Sequence, residues 1–284
     1  DWSFPYYRDA AYCLGIGMTG KELLLNFLAK ADDPNSGGRQ MPQHYGHKNL
    51  RIISQSSPTG TQFLQAVGCA FSCQFENRKE LVYVSAGEGT TSQGDFHEAL
   101  NWASNSRAPV IFHIQDNEYA ISTHRSQQMS DSVYVMTAGY KNLSRYDVNG
   151  TNYFESYVAF KQAFERARKG KGPSVVISHV VRLLPHSSSD DQRKYRTKDE
   201  LANDQNKDPI KLMESLCIKE KLFSEVDFEK IRNEIQNQVD KDAQWAELQE
   251  SPDINSALKF IYSSSEEKIE SKYEIISDNI VIVD

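Results

Sequence analysis

The chain has 284 residues, a formal net charge of −7 at pH 7 and four cysteines. That length can bury a sizeable core, as one large domain or a domain with an appendage. The acidic balance argues against a nucleic-acid surface, no apolar run reaches the roughly 20 residues of a membrane span, and four cysteines do not make a disulfide framework.

The first residues, Asp1 to Pro5, lack a basic segment followed by an apolar one, so no signal peptide is expected. The absence of an initial Met suggests that an upstream piece has been removed. Residues 1–60 read as short helical stretches mixed with loops. Gly20 to Lys30 carries Leu23, Leu24, Leu25, Phe27 and Leu28 at helical spacing, and the stretch from Asp32 to Gly38 breaks the pattern. Thr61 to Phe75 predicts a buried helix with Thr61 as its N-cap. On that helix Cys69 and Cys73 read as small core residues, and reduced thiols point to a cytoplasmic protein.

Two strand-and-loop units follow. One ends in Ala86-Gly-Glu88-Gly-Thr90, the other in Gln115-Asp-Asn117-Glu-Tyr119. Strand 81–86, helix 95–106 and strand 109–115 form a β-α-β crossover, which brings both loops to the carboxyl edge of one parallel sheet. A carboxylate (Glu88) and a carboxamide (Asn117) converging there are hard oxygen ligands suited to Mg²⁺ with diphosphate oxygens completing the shell. A helix at 154–169 and a strand at 174–181 extend the alternation, so the expected fold is a doubly wound α/β parallel sheet.

Beyond Arg182 comes a Ser-rich loop, Leu183 to Asp191, with His186 in it; loops are where working histidines usually sit. Charged residues dominate after Lys198, with amphipathic helical candidates at 209–219, 226–248 and 253–262. The expected organisation is a cofactor-binding domain over 1–200, a helical extension over 201–262, and a linker over 263–284 that ends in the strand-like Ile280 to Asp284. That last run suggests the start of a beta-type domain in a fused chain.

The ordered blocks Gly87-Glu-Gly89, Gly94-Asp-Phe-His-Glu-Ala-Leu-Asn101 and Asn117-x-Tyr119-Ala-Ile-Ser122 resemble the thiamin diphosphate motif of 2-oxo acid dehydrogenases. More narrowly, they are similar to the alpha subunit of the decarboxylating first component, over Tyr6 to Arg196. The resemblance implies thiamin diphosphate and Mg²⁺ as cofactors, with the metal held by Glu88, Asn117 and the carbonyl of Tyr119. It places Tyr7, Arg8, Ser57, Gly87, Gly89, Thr90 and His186 at the cofactor, and makes His186 catalytic near neutral pH. By the same route Ser56, Pro58, Thr61 and Gln62 are expected to hold K⁺. His44 is a further candidate for the site, while His97, His113 and His179 read as structural.

Three departures stand out. Many relatives carry Asp where this chain has Glu88, which keeps the ligand type; Thr59-Gly60 replaces a frequent Leu-Ala; and Gln115 stands where some branched-chain enzymes have Arg. Ser187, Ser188 and Ser189 fall in a stretch phosphorylated in mitochondrial relatives and read here as an unmodified mobile loop. The implied reaction is oxidative decarboxylation of a 2-oxo acid with acyl transfer to a lipoyl group. A branched-chain acid is favoured over pyruvate. Implied partners are a beta subunit or fused beta domain, in a heterotetramer, and the lipoyl domain of the acyltransferase component; neither nucleic acid nor membrane is expected. A non-catalytic scaffold of the same fold is the alternative that intact Glu88, Asn117 and His186 count against. A dinucleotide dehydrogenase is disfavoured because no Gly-x-Gly-x-x-Gly turn follows a first strand.

Overall fold

The computed structural model describes residues 1–261. The first half runs β1 (Trp2–Phe4), α1 (Ala10–Gly15), α2 (Gly20–Phe27), α3 (Thr61–Phe75), β2 (Val82–Gly87), α4 (Gly94–Ser106) and β3 (Val110–Asp116). A hairpin of β4 (Tyr119–Ala120) and β5 (Thr123–His124) leads into α5 (Arg125–Gln128) and α6 (Val133–Met136). Then come β6 (Ser144–Asn149), α7 (Tyr153–Arg168), β7 (Ser174–His179), α8 (Lys198–Asn206), α9 (Pro209–Lys219) and α10 (Glu225–Glu247).

Among the described residues, five strands form one wholly parallel sheet in the order β1-β2-β3-β7-β6. Strands buried on both faces are apolar nearly throughout rather than alternating, which is why β2 and β3 read as Val82-Tyr-Val84 and Val110-Ile-Phe112. On one face α3 and α4 press Phe63 and Phe96 against Phe112, with ring centroids 5.0 to 6.5 Å apart. On the other, α7 presents Ala159, Ala163 and Ala167 at successive turns to Ile111 and Val176, and these small side chains let the helix lie close to the sheet.

The helix joining β2 to β3 and the helix joining β6 to β7 therefore lie on opposite faces, while β3 and β7 are direct neighbours. Such a switch opens a crevice at the carboxyl ends of the two strands, the place where open α/β sheets bind ligands. The predicted doubly wound α/β sheet is the observed one.

Several local expectations are corrected. The N-cap of α3 is Gly60, not Thr61: its φ of 99° is one that only glycine adopts cheaply, and Thr61 becomes the first helical residue with its hydroxyl on Pro58 O at 3.1 Å. The edge strands β1 and β6 are additions to the expected elements. β1 has three residues, and β6 (Ser-Arg-Tyr-Asp-Val-Asn) is polar because an edge strand is only partly covered. Helix α8 is a further addition, opened by the capping box Thr197-x-x-Glu200, in which Glu200 Oε2 accepts from Thr197 N at 2.8 Å. The helix expected over 253–262 is a single 3-10 turn, Ile254–Leu258, whose Ile254 and Leu258 stay exposed and so gain nothing from burial. The expected strand Ile280–Asp284 and the whole of its linker lie outside the described residues.

Helix α10 packs on α2, and Lys30 Nζ donates to Glu247 O and Gln249 O at 2.8 and 2.9 Å, closing the helix C-terminus. Among the described residues no helix is long and apolar enough to cross a membrane, and all four cysteines are free.

Candidate active site

Glu88 opens the 3-10 turn Glu88–Ser92 directly after β2, and only 1% of it is exposed. Its Oε2 accepts from Asn117 N at 3.2 Å, so the loops after β2 and β3 meet beside the crevice, as the crossover required. Its Oε1 is buried with no hydrogen-bond partner. Burial, and then the neighbouring Asp116 carboxylate, push the Glu88 pKa up, while Asn117 N and Arg182 pull it down. A buried carboxylate oxygen without a partner is unfavourable, and a cation beside it would remove the penalty. Asn117 Oδ1 accepts from Tyr119 N at 3.2 Å, which fixes the turn between them. Gly89 is required: a Cβ there would lie 2.7 Å from Ala120 Cβ. Among the described residues no three His, Cys, Asp or Glu side chains gather to hold a metal by themselves. A single carboxylate with an amide fits an ion whose other ligands come from a diphosphate.

Arg8 and His186, far apart in the chain, are in contact. Arg8 Nη2 donates to His186 Nδ1 at 2.8 Å and to His186 O at 3.2 Å, and Nη1 donates to Tyr7 OH at 2.8 Å. A guanidinium cannot accept, so His186 Nδ1 is the acceptor and the neutral ring carries its proton on Nε2. Burial, then Arg8 and Arg182, hold the His186 pKa below its ordinary value, and Asp190 works the other way. Asp190 also orders the loop: its Oδ2 accepts from His186 N at 2.8 Å and from Tyr195 OH at 2.5 Å, and Tyr195 OH accepts from Arg182 Nη2 at 2.7 Å. Tyr119 is held in turn by Glu200, which accepts from its hydroxyl at 2.8 Å, and by Arg196, 5.0 Å from its ring centroid.

The Ser56–Gln62 loop flanks the Glu88 turn. Ser56 Oγ and Thr61 Oγ1 share a 2.6 Å hydrogen bond, and they lie 3.3 and 3.1 Å from Pro58 O, which accepts from whichever hydroxyl is left free to donate. Three oxygens therefore converge as a cation site would need. The Gln62 amide instead takes Gly60 N at 3.0 Å and donates to Ser85 O at 3.2 Å. Ser57 Oγ is 2.8 Å from His44 Nε2, so those two candidates form a pair. A Cβ at Gly60 would stand 3.0 Å from Gln93 Cβ and 3.7 Å from Thr90 Cγ2, which seats this loop against the Glu88–Ser92 turn. His113 is enclosed between Tyr83 OH (2.8 Å) and Ser178 Oγ (3.0 Å), and burial drives its pKa down to about 3. His179 Nε2 lies 2.6 Å from Asp147 Oδ1 and its Nδ1 3.6 Å from Asp116 Oδ2.

One buried group escaped the sequence reading. Asp9, next to Arg8, is 4% exposed and accepts from Ser85 Oγ, from Gln115 Nε2 at 2.6 Å and from Tyr83 OH at 3.4 Å. Gln115 Oε1 accepts from Tyr6 OH at 3.0 Å. Gln115, the departure noted at the end of β3, thus ties the Tyr6–Asp9 segment to the strand ends beside a cavity of about 380 Å³ lined by Tyr12, Tyr83, His113 and Phe160. Burial raises the Asp9 pKa from 3.8 to about 6 against the pull of its hydrogen bonds. A raised folded pKa means the group's contribution is fully present below pH 4 and is lost as pH rises through about 6. Its size is about 3 kcal/mol. Asp9→Asn is therefore expected to narrow or reverse its stability gap to the unsubstituted chain between pH 4 and 7, in denaturant melts at each pH. A gap that does not change with pH rules this out.

The crevice position, the paired loops and the convergence of Arg8 with His186 describe an α/β chain of the kind that holds a diphosphate cofactor at its strand ends. Residues 1–255 match the dehydrogenase E1 component family. The chain is 39% identical over 264 residues to 2-oxoisovalerate dehydrogenase subunit alpha of Bacillus subtilis, covering 93% of this chain and 80% of that one. It is 31% identical to the mitochondrial 2-oxoisovalerate dehydrogenase subunit alpha 1 of Arabidopsis thaliana, over 96% of this chain and 58% of that one. With pyruvate dehydrogenase E1 component subunit alpha of Staphylococcus aureus the identity is 29%, over 98% and 73%. The chain belongs to the dehydrogenase E1 component family, as a chain of its alpha-subunit type.

Proposed function

We propose that this chain is the alpha part of a thiamin diphosphate-dependent 2-oxo acid dehydrogenase acting on a branched-chain 2-oxo acid. The observation that carries this reading is the buried Glu88 carboxylate, whose Oε2 accepts from Asn117 N while its Oε1 has no partner, with Arg8 and His186 in contact nearby. In this reading Mg²⁺ is held by Glu88, Asn117 and the Tyr119 carbonyl. The diphosphate lies against Tyr7, Arg8, Ser57, Thr90 and the backbone of Gly87 and Gly89. K⁺ sits among Ser56, Pro58, Thr61 and Gln62.

When bound, thiamin diphosphate supplies the carbanion chemistry by which a 2-oxo acid loses CO₂. The chain's own residues do the rest. Glu88 neutralises part of the cation's charge, and Arg8 meets phosphate oxygens with a planar fork. Arg8 also keeps His186 Nδ1 as an acceptor, so His186 offers a proton from Nε2. Arg182 lowers the pKa of both Glu88 and His186, so one positive charge influences both ends of the site.

A beta subunit, separate or fused, would complete the site, and the acyl group would pass to a lipoyl domain of the acyltransferase component. Residues 1–200 would form the cofactor-binding part and 201–262 a helical extension, a division supported by the change, among the described residues, from sheet to helices beyond β7. Free thiols suit a cytoplasmic setting. Two of the relatives carry the name 2-oxoisovalerate dehydrogenase, which favours a branched-chain acid; the pyruvate dehydrogenase relative makes pyruvate the second reading.

The test is to assemble the chain with a beta subunit, add Mg²⁺ and thiamin diphosphate, and follow reduction of an artificial electron acceptor. Turnover is expected with 3-methyl-2-oxobutanoate, at higher kcat/KM than with pyruvate. Higher efficiency with pyruvate would reverse the substrate choice. Silence with both acids in a well-formed assembly would favour the scaffold reading.

A further inference from the structure

Helix α5 is a single turn, and its two ends reach opposite halves of the candidate metal site. At one end Arg125 donates to Asp116, the buried carboxylate directly before Asn117, and its Nη2 lies 3.2 Å from Glu118 Oε1. Arg125 N also donates to Glu118 O at 2.8 Å. Asp116 Oδ1 accepts from Glu118 N at 2.9 Å, so the turn carrying Asn117 is gripped by side chain and backbone together. Glu118 has a φ of 68°, a conformation that a loose loop would abandon. At the other end Gln128 Nε2 donates to Gly89 O at 2.6 Å and to Ser92 Oγ at 2.8 Å. Both amide hydrogens are thus spent on the turn that begins with Glu88. Ala120, between the two ends, fills the space that a side chain at Gly89 would need.

We propose that α5 is a strut that sets the separation of Glu88 and Asn117, with Arg125 and Gln128 as positioning residues for the ion between them. The proposal rests on the reading of Glu88 and Asn117 as metal ligands. It goes further by assigning the choice of ion to residues that do not touch it. Mg²⁺ requires a near-octahedral shell at about 2.0–2.1 Å, whereas Ca²⁺ accepts a looser one at about 2.3–2.6 Å. A fixed separation favours the smaller ion, and a slackened one gives that preference away. A purely structural role for α5 would change the melting temperature and leave the ion preference alone.

The test uses the chain assembled with its beta subunit and thiamin diphosphate. Mn²⁺ binding is followed by electron paramagnetic resonance and then displaced with Mg²⁺ or Ca²⁺. Gln128→Met keeps length and neutrality but removes both donors. It is expected to weaken Mn²⁺ and Mg²⁺ binding about 10- to 100-fold, as loss of a ligand's supporting partner typically does, with a smaller loss for Ca²⁺. Arg125→Lys, which keeps the charge but not the fork, is expected to move the Mg²⁺-to-Ca²⁺ ratio in the same direction and decides the matter if Gln128→Met fails to assemble. Unchanged affinities and an unchanged ratio in an assembled variant would overturn the strut. Absence of Mn²⁺ binding in the unsubstituted assembly would instead overturn the ligand reading of Glu88 and Asn117.

Discussion

Glu88→Gln is expected to abolish Mg²⁺-dependent binding of thiamin diphosphate in the assembled enzyme while raising the melting temperature of the chain without ligands. The two effects have one cause. Glu88 keeps a charge-bearing oxygen, Oε1, in a buried position where the protein offers it nothing. An unsatisfied buried group of this kind costs about 1–3 kcal/mol, and the Asp116 carboxylate adds repulsion. Glutamine has the same shape and can still accept from Asn117 N, but it brings no charge to bury. Function that rests on a destabilising group is the usual ground for a stability–activity trade-off.

The sign can be checked by pH. The folded pKa of Glu88 is raised, so its stability contribution is present below the unfolded carboxylate pKa and lost as pH rises through the folded one. The advantage of the Gln variant should therefore shrink on acidification. Loss of cofactor affinity should exceed the roughly 10- to 100-fold typical of residues that only support a ligand. Calorimetric titration of cofactor with and without Mg²⁺, together with thermal melts, measures both. Unchanged affinity would remove Glu88 from the metal site.

His186→Ala is expected to lower turnover by about 10²–10⁴, the range of a positioned proton donor, with little change in cofactor affinity. Arg8→Met should do the opposite in part: it removes the diphosphate's guanidinium and weakens cofactor binding, but leaves the imidazole in place. It should also raise the His186 pKa, because Arg8 is, after burial, the largest influence holding it down. The ring resonances of His186 would then titrate at higher pH in nuclear magnetic resonance spectra. A loss of less than tenfold in His186→Ala would show that the ring only lines the entrance. An unmoved titration in Arg8→Met would show that the 2.8 Å contact does not set the protonation of the ring.

What was legible in the amino-acid order was whatever local chemistry dictates. The apolar runs at Val82 and Val110 had to be strands buried on both faces, and the helical stretch between them forced a crossover that brought Glu88 and Asn117 to the same edge. His186 is legible as a candidate because it stands among polar residues in a loop. The buried helix over Thr61–Phe75 was equally plain from its nearly unbroken small and apolar residues.

Other features depended on pairings that sequence spacing does not reveal. Asp9 is an unremarked acid in the chain and becomes a buried one only when Ser85 and Gln115, 76 and 106 residues away, close around it. The polar strand β6 is a strand because β7 offers it a full register from Ser174 to His179, not because of its own alternation. Arg125 and Gln128 look like surface residues of a short polar turn until the hairpin swings that turn across both loops of the site. Local propensity and burial pattern act within a few residues and can be read along the chain. The sheet order, the crevice between β3 and β7, and the contact of Arg8 with His186 arise only when distant segments compete to cover the same apolar surface and to satisfy the same buried polar groups, and that competition is decided in three dimensions.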